Sequence, residues 1–107
     1  MKFNFQTPPA INITGGGEKV NFMNTFTYII TDENGIHARP AGMLVKFAQS
    51  TPDRITVKNK DKSADATRLF AIMGLGAKKG DMLEFTINGE NSEETTARLR
   101  EFCIKTL

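Results

Sequence analysis

From Met23 onward, strand-like and helix-like segments alternate along this chain, and that alternation restricts the fold more than any other feature of the sequence. "TFTYIIT" (25–31) is β-branched and aromatic and predicts a strand. Asp32 to Gly35 carries turn chemistry. "ARPAGMLVKFAQS" (38–50) sets Ala41, Leu44, Val45 and Ala48 at helical spacing, so an amphipathic helix follows the turn. Thr51-Pro52-Asp53 ends it, because proline cannot continue the hydrogen-bond ladder. "RITVKN" (54–59) alternates with Ile55 and Val57 inward, and "KSADA" (62–66), after a polar turn, is a short candidate for the returning strand of a hairpin. "TRLFAIMGLGAKKGD" (67–81) begins as a helix with Thr67 as N-cap, and Gly74 and Gly76 limit it to about two turns. "MLEFTING" (82–89) places Leu83, Phe85 and Ile87 on one side of a strand. "NSEETTARLREFCIKTL" (91–107) opens with Asn91 or Ser92 as N-cap and glutamates in the positive field of the helix start. Ala97, Leu99, Phe102, Cys103 and Leu107 fall on or near one stripe of this final helix, with Ile104 a further candidate.

The order is therefore β-α-β-β-α-β-α. Four strands and three helices on one sheet face, with the other face mostly wet, make an open-faced α/β sandwich of the α+β class. The second and third strands are expected to pair as a hairpin, and the first helix must cross over to the second strand. A chain of 107 residues suits one domain and can bury a two-layer core without disulfides or metal. Residues 1–22 stand apart: two prolines, a Gly15-Gly16-Gly17 run, few charges and no helical period. They read as a leader with a glycine hinge preceding a domain at 23–107. The competing reading is an added edge strand, because "FNF" and "INIT" alternate.

Composition excludes several classes. A net charge of +2, with no Lys/Arg run interleaved with aromatics, gives no nucleic-acid surface. Cys103 is the only cysteine, so no intramolecular disulfide forms, and its setting is that of a small core residue. One histidine and one cysteine offer no metal-ligand spacing, and no metal or other cofactor is expected. No apolar run is long enough to span a membrane, and the start lacks a signal peptide's apolar centre, so the expected compartment is the cytoplasm.

The chemistry concentrates in "NGIHARPAGML" (34–44), which holds the single histidine. If the helix begins near Ala38, His37 is its N-cap, and Ala38, Arg39 and Pro40 are its first three residues. The N–H groups of Ala38 and Arg39 then lack intrahelical partners, while Pro40 has none to lose. The helix dipole adds partial positive charge, and Arg39 adds a full charge on a planar fork suited to phosphate or carboxylate oxygens. Gly35 permits a tight approach of the preceding loop. The sum is an anion site with an imidazole at its edge. A neutral imidazole nitrogen is a nucleophile, and a phosphoryl group bound to it would place its oxygens against the helix N–H groups and Arg39. The bland alternative is a surface histidine or an imperfect cap.

"NGIHARPAGMLVKFA" resembles HPr, the histidine-containing phosphocarrier family of the bacterial phosphoenolpyruvate-dependent sugar phosphotransferase system, and "TRLFAIMGLGAKKGD" resembles that family's region around its short second helix. The resemblance covers about residues 23–107 and leaves 1–22 unexplained. It implies the same β-α-β-β-α-β-α sandwich. It also implies that His37 is phosphorylated on Nδ1 by enzyme I, that Arg39 orients the phosphate, that Pro40 starts the helix, and that the group passes on to sugar-specific IIA domains. Such a protein is a stoichiometric carrier rather than an enzyme, and a monomer is expected. A regulatory or nitrogen-branch member that acts mainly by docking is the alternative within the same fold.

A carrier must dock on both sides of the transfer. The short second helix offers Leu69, Phe70 and Met73, which at helical spacing cannot all share a face with Ile72, so a split between core and surface is expected. The family's equivalent face contacts partners, which supports Phe70 and Met73. Gly42 would let a partner approach His37, and Lys46 and Arg68 are candidates for steering acidic partners. The sequence departs from many Gram-positive members at one point: Arg68, preceded by Thr67, stands where they carry a regulatory serine. Arginine accepts no phosphoryl group, which places the serine switch in doubt.

Overall fold

The computed structural model describes residues 22–107. The expected leader lies outside the described residues except for Phe22, whose carbonyl accepts a hydrogen bond from the Gly89 N–H at 2.9 Å. The elements come in the order read from the sequence: β1 (Met23–Ile29), α1 (Ala38–Gln49), β2 (Arg54–Asn59), β3 (Lys62–Asp65), α2 (Leu69–Met73), β4 (Met82–Asn88) and α3 (Ser92–Thr106). The strands form one sheet in the order β1-β4-β2-β3, with every neighbouring pair antiparallel. β2 and β3 are the expected hairpin. β1 and β2 both pair with β4 and so run parallel to each other, which is why α1 has to carry the chain across.

The period of two decides which face is buried. Phe26, Phe85 and Val57 are directly opposite one another across three strands, as are Ile87 and Ile55, and all five are buried. Phe26 stacks on Phe85 with ring centroids 5.1 Å apart. Onto this face α1 brings Ala41, Leu44 and Ala48, and α3 brings Leu99 and Cys103. Phe47 of α1 meets Phe102 of α3 at 5.6 Å and closes the seam between the helices. Val45 is only half-buried. The other sheet face is wet: Thr25, Thr27, Lys58 and Glu84 are exposed, as are the paired Ile29 and Met82. Burial pushes the Cys103 thiol up to about 12, so it stays protonated and unreactive at neutral pH, as a core residue should.

Three local expectations are corrected. Ala97 is exposed, because the buried stripe of α3 runs through Ser92, Thr95, Leu99 and Cys103, and position 97 lies nearly opposite Leu99 on the helix wheel. α2 spans five residues rather than two full turns, ending at Met73 before Gly74. Thr67 is not its N-cap; that position falls to Arg68, and the Thr67 N–H and hydroxyl both donate to Asp65 Oδ1 (2.9 and 2.7 Å). The Asp65 side chain has captured the threonine in a local turn before the helix begins.

α3 has acids in its first turn, but its N-cap, Asn91, makes no side-chain capping bond. The partner comes from the loop between α1 and β2. Buried Asp53 accepts the Asn91 N–H at 3.3 Å through Oδ1 and the Thr95 hydroxyl at 2.7 Å through Oδ2. Gly89 makes room for it: a side chain there would collide with the Asp53 carboxylate. Asp53→Ala leaves the Thr95 hydroxyl and a helix-start N–H without this acceptor, so it should destabilise the fold by about 1–3 kcal/mol in urea unfolding. A change within error would show that the carboxylate is not a structural anchor.

Candidate functional site

The approach to α1 is built from backbone contacts. The Asn34 N–H donates to Asp32 Oδ1 at 2.8 Å and the Gly35 N–H to the Asp32 carbonyl at 3.0 Å, which closes a tight turn. Gly35 adopts φ +63°, and a methyl group there would run into the Ala77 carbonyl and Lys78 Cα. The next N–H, that of Ile36, donates to the same Ala77 carbonyl at 3.0 Å, and the Ile36 side chain is buried. On the other side, the Thr31 and Asp32 N–H groups both donate to the Leu107 carbonyl at 2.8 Å, which ties the end of α3 to this loop.

His37 emerges from this clamp in an extended conformation as the N-cap of α1. It is exposed, and its imidazole makes no capping hydrogen bond; only its carbonyl takes part, accepting the Ala41 N–H at 3.0 Å. Ala38 and Arg39, both exposed, occupy the first two helical positions, where N–H groups have no intrahelical acceptor. Pro40 is buried at the third position, and the first turn contains no acid to offset the dipole. His37, Arg39 and Pro40 line one open cleft of about 280 Å³ together with Asp32, Met43, Lys105 and Thr106. The cleft thus combines an unengaged imidazole, a guanidinium and a helix start, a setting that favours a bound anion beside a nucleophile.

Of the sequence-derived candidates, His37, Arg39 and Pro40 are brought together in the cleft, and Ala38 lies between them at the helix start. Gly42 is half-buried on α1, with open space where a side chain would project. Arg68, Leu69, Phe70 and Met73 do not line the cleft; Arg68 is the N-cap of α2 and the other three lie in it, and α2 packs against α1 and β3. The expected split within α2 is present: Ile72 is fully buried, Leu69 and Met73 are each 36% exposed, and Phe70 is 84% exposed. Asp32, Met43, Lys105 and Thr106 were not singled out from sequence. Asp32 had only a turn signal, and nothing local to Lys105 or Thr106 reveals a pairing with residues almost seventy positions away. Among the described residues no group of three or more His, Cys, Asp and Glu side chains is placed to hold a metal ion, and no helix is long and apolar enough to cross a membrane.

Residues 24–105 match the family model for the PTS HPr component phosphorylation site. The phosphocarrier protein HPr of Vibrio cholerae is 40% identical over 70 residues, covering 65% of this chain and 82% of that protein. The multiphosphoryl transfer protein of Salmonella typhimurium is also 40% identical over 70 residues, covering 63% of this chain but 19% of that protein, so the match spans under a fifth of that relative's length. Among solved structures, HPr from Bacillus anthracis superposes with a TM-score of 0.72 at 28% identity, covering 78% of this chain and 99% of that one. An HPr dimer from Thermoanaerobacter tengcongensis superposes at 0.57 with 30% identity, covering 69% and 85%.

Two outcomes follow from the geometry. Gly35→Ala forces a side chain into left-handed backbone and against the Ala77 carbonyl; it should cost about 1–2 kcal/mol or more and speed amide exchange at Ile36. Unchanged exchange would mean that the clamp is not the anchor of the site. At Asp65, the hydrogen bonds from the Thr67 side chain and backbone, helped by Arg54 and Arg68, hold the carboxyl below its ordinary value of 3.8 despite partial desolvation. A group lowered on folding contributes stability above its unfolded value and loses it as the pH falls through the folded one. An NMR titration should therefore place Asp65 below 3.8, and Thr67→Ala should move it upward.

Proposed function

The chain belongs to the HPr family of the phosphotransferase system, and on that premise we propose that it carries a phosphoryl group on His37, accepting it from phosphorylated enzyme I and passing it to sugar-specific IIA domains. The observation that carries this reading is the exposed imidazole of His37, uncommitted to capping, at a helix start and in one cleft with Arg39.

In the transfer, the unprotonated Nδ1 of a neutral His37 ring attacks the donor's phosphorus. The new P–N bond forms as the donor's bond to phosphorus breaks, and the proton on the other ring nitrogen stays in place. The three phosphoryl oxygens then meet the N–H groups of Ala38 and Arg39 and the Arg39 guanidinium. Pro40 fixes the first turn without adding a donor. Donation to an acceptor reverses the same bond changes, so the carrier returns to its starting state and is not itself the enzyme of either reaction. The shallow cleft leaves the histidine open to a partner's reacting group.

Docking in this reading uses the exposed part of α2, where Phe70, Leu69 and Met73 present apolar surface, with Gly42 allowing close approach along α1 and Arg68 adding positive charge. Arg68 offers no hydroxyl, and Thr67 is engaged with Asp65, so serine-type regulation at this helix start has no acceptor in its usual place. The carrier is expected to act as a monomer, which sizing of the phosphorylated chain would check.

Incubation with enzyme I and phosphoenolpyruvate should label the chain with an acid-labile, base-stable phosphate, and His37→Ala should abolish it. A His37→Ala chain that still took up label would sink the assignment. Arg39→Ala should slow transfer by about ten- to a hundredfold with little change in unfolding midpoint, the scale of one lost charge-assisted hydrogen-bonding group. An unchanged rate would remove Arg39 from the phosphate site.

A further inference from the structure

The cleft holds a cation that does not come from the start of α1. Lys105, in the last turn of α3, lines it together with His37 and Arg39. Its position is fixed from below: the Leu107 carbonyl, two residues on, accepts N–H bonds from Thr31 and Asp32 at 2.8 Å each and the Thr31 hydroxyl at 3.3 Å. The loop that delivers His37 is therefore the loop that holds the end of α3. No salt bridge within the described residues engages Lys105. The cleft's one carboxylate, Asp32, already accepts the Asn34 N–H.

We infer that Lys105 is a second cationic binding residue for the phosphoryl group on His37, so that the group is held between the start of the first helix and the end of the last. This rests on the phosphocarrier reading of His37. The charge balance supports it. A phosphoryl group near neutral pH would add close to two negative charges to a cleft that already holds the Asp32 carboxylate, and Arg39 alone offsets one. An ammonium on a four-carbon stem supplies a second positive charge, a mobile point charge that can follow the group as a partner docks. A merely structural role is also open to Lys105, because a cation in the last turn of a helix offsets the dipole. The two roles separate in what they predict for the phosphorylated protein.

Labelling with a small-molecule donor, phosphoramidate, requires no partner protein. Phosphorus NMR of the labelled full chain then follows the second ionisation of the phosphoryl group. Lys105 favours the dianion, so Lys105→Gln should raise that ionisation by about half a unit, Lys105→Glu should raise it further, and Lys105→Arg should restore it. Added salt should shrink the differences, and Lys58→Gln, on the open face of the sheet, should leave the value unchanged. A dipole-only role would alter the unfolding midpoint without moving the ionisation. Labelling of His37 with an ionisation that Lys105→Gln and Lys105→Glu leave unmoved overturns this inference alone. Failure of His37 to take label overturns the carrier reading and the inference with it.

Discussion

Two backbone carbonyls from distant parts of the chain hold the loop that presents the histidine. Ala77 takes the N–H of Ile36, and Leu107 takes those of Thr31 and Asp32. Between them, Gly35 adopts the left-handed conformation that brings its backbone against Ala77 and Lys78, where no side chain fits. The geometry of the cleft depends on this clamp. It fixes where α1 starts, and so which residue becomes the N-cap. It also fixes where α3 ends, and so which side chains face the histidine from the other wall.

The clamp in turn depends on the sheet. β4 lies between β1 and β2 and pairs with both along nearly its whole length. The segment that leads into β4 carries Ala77, and the helix that follows β4 ends at its C-cap, Leu107. One central strand thus sets the positions of both carbonyls relative to the end of β1, where the histidine loop begins. The core beneath is the ordinary consequence of strand alternation meeting helix periodicity: Phe26, Phe85 and Val57 on one side, Leu44 and Leu99 on the other.

Features carried by local pattern were legible in the sequence. The alternation of Leu83, Phe85 and Ile87, the spacing of Ala41, Leu44 and Ala48, and the proline after Thr51 suffice to order the elements. The helix start at Ala38 follows from His37-Ala38-Arg39-Pro40 for the same reason. Where a side-chain partner decided the outcome, the sequence was silent or misleading. Thr67 looked like a cap, but the Asp65 side chain took both its donors. Asn91 does sit at a cap position, yet its helix start is served by Asp53, which no local pattern links to it. Half of the cleft was legible because it is contiguous. The wall formed by Lys105 and Thr106 was not, because only the tertiary structure brings the end of α3 beside the start of α1.

The absence of any acid in the first turn of α1 has a thermodynamic consequence for the proposed relay. In the folded chain the field at this helix start has no counter-charge within its own first turn, and the unfolded chain has no such field. An anion held covalently at His37 would complete the folded state alone. By linkage, the phosphorylated chain is then the harder of the two to unfold. The same cycle, read in the other direction, makes the fold a regulator of the energy released on transfer: each increment by which the field steadies the anion is subtracted from the drive to give it up. In the proposed relay the helix start would then tune group-transfer potential as well as hold the phosphoryl group.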